Sequence, residues 1–381
     1  KAESPVIYIV LHQSRLDPAL MLSLLPAETL HILDRESAQS MWLEPWRELA
    51  RTIEFNAHHV FVSRRLVRHL RGKGRLAVYM PDDVEPDAKA FRLYRAVSRI
   101  AAKADAKIVP VFVGGSRHSW LSLSPPDMTS RKLLPKLSIT ALTPMTLAEL
   151  RERPEHPPTT AANALFDYTA TARFRAVDLS RSLFSAVRDA ADLHGHNHAV
   201  LGDGTSTLTY RQLLARARHI GKGLTAVTAK GETVALLLPD APVLATALLA
   251  LNATGRVAAL PDQAHSATDM AASFETAGIT AILSSRRYAE EAGLADLLAT
   301  LEARGARVIW LEDIEKSASL IDRLMARKLW YQPIVRKGAG RPAVVLFAPR
   351  SGGAASSVVL SDRNLLADAM QMADGWRKLF V

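Results

Sequence analysis

Residues 5–26, "PVIYIVLHQSRLDPALMLSLLP", decide how the first part of this chain folds. Eight residues with six apolar side chains, ending on His12, read as a buried strand. The run "DPALMLSLLP" then reads as a short helix, with Asp17 suited to the N-cap and Pro18 to the first helical position. On one continuous helix, residues five apart lie about 140° from each other, so His12 and Asp17 would diverge. A strand that stops at His12 and turns into a helix near Asp17 folds the carboxylate back to the imidazole. A histidine held that way has a fixed tautomer and orientation, which suits a general base acting on an alcohol. The same two residues also fit an ordinary strand end and helix cap.

The βα alternation continues outward from there. "HHVFVSRRLVRHLRGKGR" combines an apolar stripe with a basic face and reads as a helix closed near Gly72 or Gly74. "LAVYMP" is a strand, "AFRLYRAVSRIAAKADA" a helix and "KIVPVFVGG" a strand. "RERPEHPPTT" is rich in proline and charge and reads as part of a linker. A long helical stretch from "LFDYTATARFRAVDL" through "SRSLFSAVRDAADLHG" follows. The rhythm then restarts: "LTYRQLLARARHIGKGL" and "VLATALLALNATG" are helices, while "ETVALLLP", "RVAALP", "ITAILSS" and "RVIWLED" are strands. Such alternation implies an α/β layer fold. The boundaries expected are a first domain over 1–147, a linker over 148–178 and a second domain over 179–381.

The chain has 381 residues, enough for two cores. It has no cysteine, which excludes disulfides, thiolate nucleophiles and cysteine-based zinc sites. The net charge of +10 suits anionic membranes, phosphorylated substrates or an acidic carrier protein. "SRRLVRHLRGKGR" concentrates six of these cations, Arg64 to Arg75, without an acid. It reads as a solvated helix face or a dock for anionic lipid. Nucleic acid is not expected as a partner, because no helix-turn-helix, zinc or base-stacking signature accompanies the charge. The longest apolar region is broken by Pro239, Asp240 and Pro242 and is too interrupted to span a membrane. The chain opens on Lys1, which suggests a fragment or processed form. No metal site is expected: "HGHNH" sets His194, His196 and His198 on alternate residues, but Asn and Gly argue for a loop and no acid adjoins it in the motif. Ser116 in "VGGSRHSW" lacks the glycine context of a nucleophile elbow.

Leu11-His12-Gln13-Ser14-Arg15-Leu16-Asp17 resembles the His-x4-Asp motif of the glycerolipid acyltransferases. The similarity covers about residues 5–145. Met80-Pro81-Asp82-Asp83 stands where that family has Phe-Pro-Glu-Gly, and Arg92 where it has a phosphate-holding lysine. Leu11 replaces the family's Asn, and Asp83 replaces a glycine that would let backbone approach a ligand. The resemblance implies acyl transfer without a cofactor: His12 as base, Asp17 as its orienter, and Arg15, Asp82 and Arg92 as substrate-binding residues. The donor would be an acyl carrier protein or coenzyme A thioester, and the acceptor a lysophospholipid.

The second half resembles the leading part of the adenylate-forming, AMP-binding acyl ligases, through "LTYRQLLARARHIGKGL", "GETVALLLPDAPVLATALLAL", "AGITAILSS" and "VIWLEDI". The pairing is similar to the bacterial bifunctional acyl-ACP synthetase/2-acylglycerophosphoethanolamine acyltransferases. It implies a glycerolipid-acyltransferase-like α/β domain followed by an incomplete adenylate-forming α/β domain. In "LFAPRSGGAASSVVLS", Ser351 and Gly353 are what remain of the family's phosphate loop, and a loop without nucleotide is expected there. ATP and Mg would be needed only if this domain works in a longer form, and no adenylation is expected of this chain alone. The resemblance places the protein peripherally on the cytoplasmic face of the inner membrane, or anchored there by further segments. The alternatives are a fragment of an ATP-dependent acyl-ACP synthetase and a non-catalytic lipid- or partner-binding module.

Overall fold

In the computed structural model, the structure describes residues 5–33, 51–54, 60–81, 91–124, 131–152, 160–204, 207–239, 242–261, 267–317, 319–336, 338–350 and 353–376. The chain divides into two compact units, 1–178 and 179–381. Among the described residues no helix is long and apolar enough to cross a membrane.

The first unit runs β1 (Val6–His12), α1 (Leu16–Leu24), β2 (Leu30–Leu33), β3 (Arg51–Glu54), α2 (Val60–Arg71), β4 (Arg75–Pro81), α3 (Phe91–Ala104), β5 (Lys107–Gly114), β6 (Ser138–Ala141), α4 (Leu147–Arg151) and α5 (Ala161–Arg175). Its six strands lie in the order β3-β2-β4-β1-β5-β6, and all pairings are parallel except β5–β6. β1 is central, and its residues alternate between two cores. Ile7, Ile9 and Leu11 pack on one face, while Val6, Tyr8 and Val10 pack on the other. That double burial is why the strand reads as a continuous apolar run.

Two helices here end without glycine at the left-handed position. Gly74 N–H donates to His69 C=O and Gly72 N–H to Arg68 C=O, while Lys73 between them has φ 60°. Lys73, rather than either glycine, takes the left-handed turn that closes α2. Asp105 (φ 46°) plays the same part after α3.

Three expectations are corrected in this unit. The first helix begins at Leu16, with Arg15 at the N-cap position and no side-chain cap, so Asp17 and Pro18 are its second and third residues. The stretch 148–178, read as a linker, contains α5, whose Ala162, Leu165, Tyr168 and Ala172 are buried in the first unit's core. Alanine spacing and a Thr160 cap make that segment a packed helix. The long helical stretch is also not continuous. It breaks after Arg175 and restarts at Leu183, capped by Ser182.

The second unit runs α6 (Leu183–His194), β7 (Ala199–Gly202), β8 (Thr207–Thr209), α7 (Tyr210–Val227), β9 (Thr233–Leu237), α8 (Pro242–Ala253), β10 (Val257–Leu260), α9 (Ala267–Thr276), β11 (Ala281–Ser284), α10 (Arg286–Glu291), α11 (Ala295–Ala303), β12 (Arg307–Trp310), α12 (Leu311–Ser317), α13 (Leu320–Lys328), β13 (Pro342–Arg350), β14 (Gly353–Ser361) and α14 (Asp362–Trp376). A second six-stranded sheet has the order β12-β11-β9-β10-β13-β14, again parallel apart from its last strand. β7 and β8 form a separate two-stranded ribbon. β9 sends Val234 and Leu236 to one core and Ala235 and Leu237 to the other. α7 starts with a capping box, in which Thr209 and Gln212 each satisfy the other's backbone N–H.

Candidate functional site

In sheets of this kind, ligands bind beyond the C-terminal ends of the parallel strands. β1 ends there on His12, flanked by the ends of β4 and β5, with His12 opposite Pro81. Four residues later the chain enters α1 and brings Asp17 back. His12 Nδ1 and Asp17 Oδ2 are 3.5 Å apart, an ion-pair distance longer than a hydrogen bond, with the side chains 9% and 0% exposed. Asp17 Oδ2 also accepts the N–H groups of Gln13 (2.7 Å) and Ser14 (2.8 Å). The carboxylate therefore holds both the turn and the imidazole. Its other oxygen, Oδ1, is buried without a hydrogen-bond partner.

The turn is clamped from the opposite side by the segment after β5. Arg15 N–H donates to Leu121 C=O (2.9 Å), and Leu123 N–H donates to Gln13 C=O (2.9 Å). Ser14 Oγ lies 2.7 Å from Ser119 Oγ and donates to Leu121 C=O. These long-range bonds fix the backbone on both sides of Ser14, and no local motif announces them.

Beneath His12 lie two groups that sequence reasoning missed. Tyr79 of β4 meets the His12 ring edge to face, with centroids 5.7 Å apart. Its hydroxyl is 2.9 Å from Nδ1 of His31 in β2. Both are buried. Burial pushes the Tyr79 phenol well above its ordinary pKa, and the negative charge of Asp17 adds to this. Burial lowers His31 to about 4, so that ring is neutral. Polar residues at alternate positions of otherwise apolar strands were the available signal.

The expected substrate-binding residues are not all gathered. Arg15 is exposed beside the turn, and Arg92 is exposed on the first turn of α3. Asp82 lies outside the described residues, although Pro81 before it pairs with His12. Ser116 is buried and donates to Val113 C=O, which makes it a structural residue of the short 3-10 turn there.

In the second unit, the expected phosphate loop is a hairpin. β13 extends to Arg350 and β14 starts at Gly353, with Arg350 opposite Gly353 and a register shift between Ala348 and Arg350. The loop expected around 348–356 is thus mostly ladder, and Pro349 sits at the irregularity, where a strand tolerates a missing N–H. Ser351 lies outside the described residues. Among the described residues no group of three or more His, Asp or Glu side chains is placed to hold a metal. In "HGHNH", His194 and His198 stack near Tyr210, and His196 Nε2 lies 3.0 Å from Asp192 Oδ1. An acid does adjoin the cluster, four residues upstream on α6, where the motif itself showed none.

One buried polar centre of this unit lies between helices. Asp362 Oδ1, at the start of α14, accepts from Asn252 Nδ2 (2.6 Å) and from Leu183 N–H (3.1 Å). Asn252 Oδ1 in turn accepts Phe184 N–H (3.0 Å). The two residues together satisfy the first N–H groups of α6.

Residues 187–380 match the family described as AMP-binding enzyme. Solved structures similar to part of the chain include VinN with 3-methylaspartate (16% identity, TM-score 0.42, covering 51% of this chain and 52% of that one). O-succinylbenzoate coenzyme A synthetase (MenE) from Bacillus subtilis in complex with AMP is 18% identical, with TM-score 0.41 over 51% of this chain and 46% of that one. ATP-bound MatB from Rhodopseudomonas palustris is 20% identical, with TM-score 0.43 over 52% and 38%. The chain spans about half or less of the length of these proteins.

Proposed function

This chain belongs to the family of AMP-binding enzymes, and from that premise we infer that its second unit is the leading part of an ATP-dependent acyl-activating enzyme of the acyl-ACP synthetase kind. The match over residues 187–380 is the observation that carries this reading. In it, ATP is the co-substrate: the fatty-acid carboxylate displaces pyrophosphate from it, the carrier thiol then displaces AMP from the acyl group, and Mg would offset the phosphate charge. Gly353 opens β14 at the hairpin tip where phosphates would be received, and no contact to nucleotide is assigned to Ser351. The test is fatty-acid-dependent ATP–pyrophosphate exchange in the whole protein that carries this chain. Exchange is expected, and its absence with short, medium and long acyl acids would sink the reading.

A second activity is favoured by one observation, the buried Asp17 carboxylate 3.5 Å from His12 at a strand end. We propose that the first unit transfers the activated acyl group to a lysophospholipid. His12 Nε2 takes the proton from a free glycerol hydroxyl, and Asp17 beside Nδ1 orients the ring for it. The oxygen attacks the thioester carbonyl, the C–S bond breaks, and the thiolate leaves with the proton returned by His12. The exposed cations Arg15 and Arg92 suit a phosphate headgroup. The test is transfer of labelled acyl groups from acyl carrier protein, and separately from coenzyme A, to lysophosphatidylethanolamine. His12→Ala is expected to lower the rate by about 10²–10⁴-fold. Equal turnover in the two proteins would remove His12 from the chemistry.

A further inference from the structure

Beside the segment that clamps the His12 turn lie the most exposed large apolar side chains among the described residues of the first unit. Leu133 and Leu134 are 80% and 88% exposed, and Trp120 is 59% exposed. The backbone segments that carry them run side by side. Ser119 and Lys132 form a parallel bridge, and Lys132 N–H donates to His118 C=O (2.7 Å), which sets Trp120 beside Leu133. Two further contacts hold the two segments that carry these side chains. Arg131 Nη2 donates to Ser124 C=O (3.1 Å), and Gly115 (φ 86°) packs so closely on the Lys136 carbonyl that a Cβ there would collide with it. Large apolar side chains held in water by a braced backbone mark an interaction surface.

The charge around them selects the partner. The described residues 115–124 and 131–137 include Arg117, Arg131, Lys132 and Lys136 and no acid. Tryptophan and leucine beside lysine and arginine match the boundary of an anionic bilayer, where the rings and aliphatic stems enter the headgroup layer and the cations meet phosphates.

We propose that the Trp120–Leu133–Leu134 patch docks this protein on an anionic membrane surface. This rests on the acyl-transfer reading for its purpose, since the same segment hydrogen-bonds Gln13, Ser14 and Arg15 and so sets the catalytic turn at the lipid boundary. The basic face of α2 is a poorer dock: among its described side chains no large apolar one is exposed, so it offers charge without a group to enter the headgroup layer.

The full chain is tested by flotation with vesicles of phosphatidylcholine alone and with added phosphatidylglycerol, with brominated lipid as a quencher of tryptophan. Binding to the anionic vesicles is expected, with quenching lost in Trp120→Phe. Combined Leu133→Asp and Leu134→Asp should weaken binding at least tenfold with an unchanged thermal melt, because both side chains are already in solvent. Turnover of a monomeric short-chain lysophospholipid should be unchanged in that variant. Failure of the wild type to bind, undiminished binding by the double variant, or loss of binding when Arg64, Arg65 and Arg68 become Glu instead would overturn the proposal. So would a double variant that keeps the vesicles but loses an acidic acyl carrier protein, which would make the patch a protein dock. Vesicle binding without turnover on any acyl acceptor would leave the dock standing and remove the acyl-transfer reading.

Discussion

The two units share one plan, five parallel strands and an antiparallel edge, yet they place their buried polar groups differently. In the first, Asp17, His12, Tyr79 and His31 converge at and beneath the end of the central strands. In the second, the buried carboxylate of Asp362 sits at a helix junction and spends its oxygen on Asn252 and a backbone N–H. A polar cluster at a strand end faces arriving ligand, whereas one between helix termini completes the fold. The family match lies on the second unit, while the closest histidine–carboxylate pair at a strand end lies on the first. Likeness of sequence and concentration of chemistry are therefore separate signals.

The sharpest way to break this contrast is to disarm each carboxylate. Asp17→Asn keeps the side-chain shape and one acceptor for the turn but removes the charge beside His12. Acyl transfer should fall by about 10²-fold or more while the folded fraction is retained, measured as kcat/KM beside circular dichroism. An unchanged rate would reduce Asp17 to a turn residue. Asp362→Ala should do the reverse, costing about 4 kcal/mol of second-unit stability because it orphans the Asn252 amide and the Leu183 N–H. Urea denaturation reads this, and a loss below about 1 kcal/mol would mean water takes over both bonds.

The third effect is acid sensitivity confined to the first unit. His31 has its ordinary value of 6.5 when unfolded and about 4 when folded. Its neutral form is the folded one, so this stability is fully present above pH 6.5 and is lost as pH falls toward 4. The loss amounts to about 3 kcal/mol. The acid limb of the stability curve should flatten by that amount in His31→Gln, and an unaltered limb would contradict the assignment. The smallest effect is local: Thr209→Ala removes one side of the capping box of α7 and should cost about 1 kcal/mol by urea titration.

The strands were legible because double burial writes itself as apolar runs, as in Val6–Leu11 and Val234–Leu237. The strand-turn-helix return of Asp17 to His12 was legible as one of two readings, because the same spacing also fits an ordinary strand end and helix cap. What escaped was set by partners far along the chain. Asp17 is displaced from the cap because its carboxylate bonds Gln13 and Ser14, and the clamp by residues 119–123 has no local trace. The helical character of α5 was legible, but its start, its end at Arg175 and its place in the first core were not, since its alanines give little amphipathic contrast. Tyr79 and His31 sit on strands whose apolar pattern drew attention away from them. The pairing of β13 with β14 was masked by glycines and serines that read equally as loop or as strand.

The tie between Asp362, Asn252 and the start of α6 also bears on where the chain can be divided. The family match begins at residue 187, one turn inside that helix. A piece cut at the match boundary would discard Ser182, Leu183 and Phe184, and leave a buried carboxylate and a buried amide facing the gap. A piece beginning at Leu179 keeps the cap and both bonds, so the natural seam lies several residues upstream of the point that similarity alone would choose.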